Sequence, residues 1–102
     1  MRISRFAERQ LRERCGLNKK SMQRMTERAF KQGIRYRDTK GRLYKWVSNL
    51  YYNYPRNGND IRIYGDKAFV FCKDTLVTIV QIPHYLTKDL PAMYEIGVRY
   101  EQ

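Results

Sequence analysis

Between residues 60 and 83 the chain reads DIRIY, Gly65-Asp66, KAFVFC, Lys73-Asp74 and TLVTIVQIP. Three runs rich in apolar residues, parted by two-residue turns, predict an antiparallel three-stranded meander, with Gly65-Asp66 fitting a type II′ hairpin turn. The second and third strands are apolar on both faces, through Phe69, Val70 and Phe71 and through Val77, Ile79 and Val80. One face must therefore pack on helices, and the other needs a cover of its own. Two covers are open: the tail stretch LTKDLPAMYEIGVRY, returning as a short helix or strand, or another subunit.

The part before the meander has the helical period. A first helix is predicted from Ser4 as N-cap to Cys15, with Gly16 as the left-handed residue that ends it. At about 100° per residue Ile3, Phe6, Ala7, Leu11 and Cys15 share one side, and Arg5, Arg9 and Arg12 lie opposite. A second helix starts at Asn18 as N-cap, with Leu17 and Met22 at the spacing of a hydrophobic staple, and stops at Gly33. Met22, Met25, Ala29 and Phe30 form its buried side, while Lys20, Arg24, Arg28 and Lys31 line the other. The polar stretch IRYRDTKGR reads as a loop. In LYKWVSNLYYNYP, Leu43, Trp46, Val47, Leu50, Tyr51 and Tyr54 recur at helical spacing, predicting a third helix ended by Pro55 and the RNGND turn.

These elements make an α+β fold: two or three N-terminal helices packed on a three- to four-stranded antiparallel meander. At 102 residues there is room for one core, so a single domain over residues 1–102 is expected. Its parts would be a helical basic segment (1–54), the meander (60–83) and a tail (84–102) packing on the sheet or on a partner. The 42% hydrophobic and 14% aromatic content excludes a disordered or fibrous chain. No stretch reaches the about 18 apolar residues of a membrane span, and MRISRFAERQ holds no apolar segment for secretion, so a cytoplasmic protein without membrane contact is expected.

Net charge is +11, and its placement is informative. Residues 1–45 hold 15 Lys and Arg against 4 Asp and Glu, which accounts for the whole excess, and the rest of the chain has 6 of each. Charge gathered in this way builds a basic binding face, whereas charge serving solubility alone is usually scattered. Phosphate oxygens favour such a face because each neutralised phosphate releases counterions and an arginine fork holds two oxygens. Arg5, Arg9, Arg12, Lys20, Arg24, Arg28 and Lys31 are thus candidate nucleic-acid ligands. An ordinary solvated helix face would carry the same residue types. RYR at 35–37 and YYNYPR at 51–56 interleave rings with cations, as single-strand binders do. This adds Arg35, Tyr36 and Arg37 to the candidates; Trp46, Tyr51 and Tyr54 sit at core spacing, while Tyr36, Tyr44 and Tyr52 are freer.

His84, just after the last strand, stands where a side chain can reach the end of a sheet and act as general acid or base, although a lone loop histidine is more often structural. Cys15, Cys72 and this one histidine cannot supply four zinc ligands at a familiar spacing, so two buried thiols and no metal are expected. No phosphate-cradling glycine loop, paired carboxylates or dinucleotide fingerprint is present, and no cofactor is expected.

FAERQLRERCGLNKKSMQRMTERAFKQGI followed by IRIYGDKAFVFCKDTLVTIVQIP resembles small phage and prophage proteins and, more distantly, the barnase, colicin and RelE-like ribonuclease toxins. The likeness spans about residues 1–83. In that group the leading helix carries His-Ala-x-x-Arg-x-x-x-Arg-Gly; the histidine falls on Phe6, the alanine on Ala7 and the two arginines on Gln10 and Arg14. Two of the three polar positions are therefore absent. Arg14 is the one arginine of this helix turned towards the sheet, buried with a partner or lining a pocket. The resemblance implies a metal-independent ribonuclease using Arg14, His84 and a nearby Tyr or Lys, since electrostatics can support cleavage without the helix histidine. A binder of nucleic acid, RNA before DNA, is the leading expectation. The alternatives are that ribonuclease, a phage counter-defence protein blocking a host nucleoprotein complex, and a helix-turn-helix DNA-binding regulator with the meander as wing. A homodimer through the exposed sheet face is a further expectation.

Overall fold

The computed structural model describes residues 1–53 and 59–90. Helix α1 (Arg5–Cys15) begins where the Ser4 hydroxyl accepts the Ala7 N–H at 3.1 Å, and ends at Gly16, whose φ of 65° suits a residue without Cβ. Helix α2 (Lys19–Gln32) begins where the Asn18 side-chain oxygen accepts the Ser21 N–H at 2.9 Å. Helix α3 (Gly41–Tyr52) follows the predicted period, with Leu43, Val47 and Leu50 inward. Gly33 ends α2 for a different reason than a left-handed turn. Its φ is −65°, and a Cβ there would lie 2.4 Å from the Ala29 carbonyl oxygen and 2.9 Å from Arg62 Cβ, so the glycine lets the helix end press against the sheet.

The sheet has five strands, β1 (Arg2–Ile3), β2 (Ile34–Arg35), β3 (Asn59–Tyr64), β4 (Lys67–Cys72) and β5 (Thr75–Gln81), in the order β1-β5-β4-β3-β2. The meander is β3-β4-β5. Its turns carry positive φ at Gly65 (65°) and at Lys73 (58°). The sheet is mixed, which corrects the expected three- to four-stranded antiparallel meander: β1 runs parallel to β5, with Arg2 opposite Thr75. β2 pairs antiparallel with β3, Ile34 opposite Ile63, so the stretch read as a loop contains an edge strand and a 3-10 turn at Tyr36–Asp38. Two-residue strands carry no period of their own; they form because the outer edges of β3 and β5 have backbone groups to satisfy.

That need continues along β5. Its register against β4 slips between Val70 and Phe71, leaving Val77 as a bulge residue. The Ser4 N–H donates to the Leu76 carbonyl and the Ser4 hydroxyl to the Val77 carbonyl, each at 2.9 Å. Gln10 of α1 then replaces a neighbouring strand altogether. Its Nε2 donates to the Ile79 carbonyl at 2.9 Å, while its Oε1 accepts the Ile79 N–H at 2.9 Å and the Thr78 hydroxyl at 3.1 Å.

Both sheet faces are covered. Ala7, Leu11, Met22 and Ala29 of α1 and α2 pack with Phe69, Phe71, Leu76 and Ile79 on one face. On the other, Leu43, Val47 and Leu50 of α3 join Leu86 and Leu90 against Ile61, Ile63, Ala68, Val70 and Ile82. Each of these large aliphatic side chains contributes roughly 1.5–3 kcal/mol by leaving water. The second cover is therefore α3 with the 3-10 turn His84–Asp89, so among the described residues the sheet face expected to be exposed is packed. Tyr54, Pro55 and the rest of 54–58, and the tail from 91 to 102, lie outside the described residues.

Candidate functional site

Arg5, Arg9 and Arg12 are exposed on α1, and Lys20, Arg24, Arg28 and Lys31 are exposed on α2. Each helix turns its apolar side to the same face of the sheet, so the two basic sides look away from it together. Helix α1 lies over β5 and α2 over β3, which sets the two ridges side by side. Arg12 is paired with Glu8 one turn earlier, at 3.3 Å. No other cation of the seven takes part in an ion pair among the described residues. Arg24 and Arg28 rim a shallow hollow of about 200 Å³ floored by Leu17, Met25 and Tyr64. Tyr64, at the end of β3, was hidden from sequence reasoning because only the packing of α2 on β3 brings it to those arginines.

The basic surface turns the corner of the sheet at its β2 edge. Arg35 and Arg37 are exposed there, and with Tyr36 and Asp60 they line a hollow of about 240 Å³. Tyr36 is less free than its neighbours in sequence suggest. Its hydroxyl donates to Ser48 of α3 at 2.6 Å, and its ring lies 5.2 Å from Tyr44 and 5.3 Å from Tyr51. The exposed rings of this group are Tyr44 and Tyr52, 43% and 67% accessible. The Tyr36 hydroxyl beside Tyr44 is the main cause holding the Tyr44 phenol above its ordinary range. Trp46 and Tyr51 pack partly buried against the core, as their spacing predicts.

Among the described residues one arginine is buried, and it belongs to the fold. Arg62 of β3 binds Asp60 through Nε and Nη2, donates Nη1 to the Phe30 carbonyl, and sits 4.7 Å from the centre of the Phe30 ring. A cation at the last turn of α2 also meets the negative end of the helix dipole.

Arg14 is exposed rather than buried with a partner, but it does line a pocket. With Gln10, Cys15, Lys67, Ile79 and Gln81 it bounds a hollow of about 80 Å³ beside β5. The position that the toxin pattern gives to its first arginine is thus spent, as Gln10, on the β5 backbone. Phe6, expected on the apolar side of α1, is instead 60% exposed. His84 is exposed at the start of the 3-10 turn, in the layer of α3, and shares no described hollow with Arg14. Cys15 and Cys72 are half-buried cysteines, not fully buried ones. Among the described residues no three His, Cys, Asp or Glu side chains gather to hold a metal, and no helix is long and apolar enough to cross a membrane. The chain matches no family model, no curated protein and no solved structure.

Proposed function

We propose that the protein binds nucleic acid, RNA in preference to DNA, by laying the outer sides of α1 and α2 along the phosphate backbone. One observation carries this reading: seven of the fifteen cations in residues 1–45 stand exposed on two adjacent helices of one layer, and among the described residues only Arg12 of the seven is in an ion pair. The side chains are long Lys and Arg rather than the Asn, Gln and Ser that read base edges in a groove, so the surface suits backbone contact more than a helix-turn-helix mode. Exposed rings of α3, beyond the β2 edge from α2, favour a strand with unpaired bases, which is commoner in RNA.

The test is fluorescence anisotropy of labelled RNA and DNA probes at rising salt. If four to seven of these cations each neutralise one phosphate, log affinity falls against log salt with a slope of about −3 to −5 for a single strand. The double change Arg24→Glu with Arg28→Glu should flatten that slope by about 1 to 2 units. Affinity indifferent to salt, or no binding to any probe, overturns the proposal.

A further inference from the structure

Helix α3 spends its inward side on Leu43, Val47 and Leu50, and the core needs nothing from Tyr44 or Tyr52. Both are exposed helix positions, where tyrosine is only a middling helix former and Lys, Glu or Ala would serve folding better. Yet the two rings are held in place. Tyr44 stacks on Tyr36 with an interplanar angle of 27°, Tyr51 lies against the same ring, and Tyr52 stands edge-on to Tyr51 at 5.8 Å. The Tyr36 hydroxyl bond to Ser48 fixes the centre of the group. Tyr44 and Tyr52 are eight residues apart, about 12 Å along the helix axis, so they offer faces to two different bases.

The surroundings state the chemistry of the occupant. Residues 34–53 contain one acid, Asp38, against Arg35, Arg37, Lys40, Arg42 and Lys45, and among the described residues only Arg42 of these cations is held in an ion pair, with Asp89. Lys45 lies on the Tyr52 side of α3, seven residues before it, and Arg35 and Arg37 flank Tyr36. Exposed rings interleaved with cations match a strand that alternates flat bases with phosphates; an apolar protein surface would gain nothing from the cations. We propose that Tyr44 and Tyr52, seated on Tyr36 and Tyr51 and rimmed by Arg35, Arg37 and Lys45, form a shelf on which unpaired bases of a single strand stack. The shelf rests on the nucleic-acid reading above and narrows it: α2 ends at the β2 edge, so a strand held by α1 and α2 passes Arg35 and Arg37 to reach these rings. Because the rings are already ordered, stacking costs little side-chain entropy.

The experiment measures anisotropy of an unstructured, labelled single-stranded RNA of about a dozen nucleotides and of an RNA duplex of equal length. Wild type is compared with Tyr44→Ala, Tyr52→Ala, Tyr52→Phe and the Arg24→Glu/Arg28→Glu pair, with circular dichroism confirming that each variant is folded. The expected result is that each alanine variant lowers the ratio of single-strand to duplex affinity about ten-fold without changing the salt slope. Tyr52→Phe, which keeps the ring, is expected to recover the loss. Alanine variants that bind the single strand like wild type, or that lose single strand and duplex alike, overturn the shelf. If in that case the paired glutamates still weaken binding, the cation reading stands without it. A wild-type protein that binds neither probe ends both, and a shelf that serves a protein partner instead would give that outcome.

Discussion

Replacing Gln10 by alanine removes three hydrogen bonds at once and leaves their partners in place. The Ile79 N–H, the Ile79 carbonyl and the Thr78 hydroxyl all depend on this one amide, on residues 5% and 2% exposed. A buried polar group stranded without a partner costs roughly 1–3 kcal/mol. The hollow of about 80 Å³ beside Gln10 and Ile79 gives water a route to part of the edge, so the low end applies to each group. The sum is about 3 kcal/mol, a large share of the 5–15 kcal/mol typical of a domain and roughly 15 °C in melting temperature. Urea unfolding followed by circular dichroism reads the loss as a lower midpoint at unchanged slope. Gln10→Glu separates the hydrogen bonds from the packing. Its carboxylate can still accept the Ile79 N–H but faces the Ile79 carbonyl with a second acceptor, so the native state favours the protonated form that can donate. The introduced carboxyl then titrates higher when folded than when unfolded; its favourable contribution is complete below the unfolded value of about 4.3 and disappears as pH rises through the folded value. Relative to wild type, Gln10→Glu should be close to neutral near pH 4 and clearly destabilised near pH 7. An alanine variant as stable as wild type, or a glutamate deficit that ignores pH, would refute the view that this side chain substitutes for a strand.

Gly33→Ala should cost about 3 kcal/mol or more, since its Cβ meets backbone at 2.4 Å, while Gly16→Ala should cost only about 1 kcal/mol from its left-handed φ in open space; paired melting curves give the order. Lys73→Gly should stabilise by about 0.5–1 kcal/mol, because a lysine holds φ of 58° in the β4–β5 turn, and a fall in melting temperature would contradict this. Thr26 is fully buried on α2 and its hydroxyl has no hydrogen-bond partner among the described residues, so Thr26→Val should raise the urea midpoint, by about 1 kcal/mol in stability. Asp66 is held below the usual carboxylate range mainly by its hydrogen bond from Lys67, with Gln81 adding to it. That contribution is complete above the unfolded value and lost as pH falls through the folded one, so Asp66→Asn should lose a few tenths of a kcal/mol at neutral pH and match wild type in strong acid.

The candidate site was legible in one respect and closed in another. That Arg5, Arg9, Arg12, Lys20, Arg24, Arg28 and Lys31 face outward follows from a 3.6-residue period laid against the apolar positions, and all seven are exposed. That Arg14 does not become a buried arginine, and that Phe6 does not become core, is set by how α1 docks in the tertiary structure, which no period encodes. Tyr36 looks as free as Tyr44 in a linear reading, but its hydroxyl finds Ser48 twelve residues away. Gly33 reads as a stop signal whatever its reason; the Ala29 carbonyl supplies part of that reason locally, and Arg62 and Ile63 supply the rest from a strand nearly thirty residues further along the chain.

By itself, the order of residues determined the local elements: three helices and the β3-β4-β5 meander, with Ser4, Asn18 and Gly16 at their ends. Each depends on contacts a few residues apart, and hydrophobic period and capping chemistry record such contacts directly. Tertiary structure alone decided the parallel β1, the edge strand β2, the bridge from Gln10 to Ile79 and the use of α3 to cover the second face. These join residues up to 73 apart, and what selects them is the requirement that every strand edge and apolar face find some partner, which a linear sequence states as a need without saying which segment will meet it.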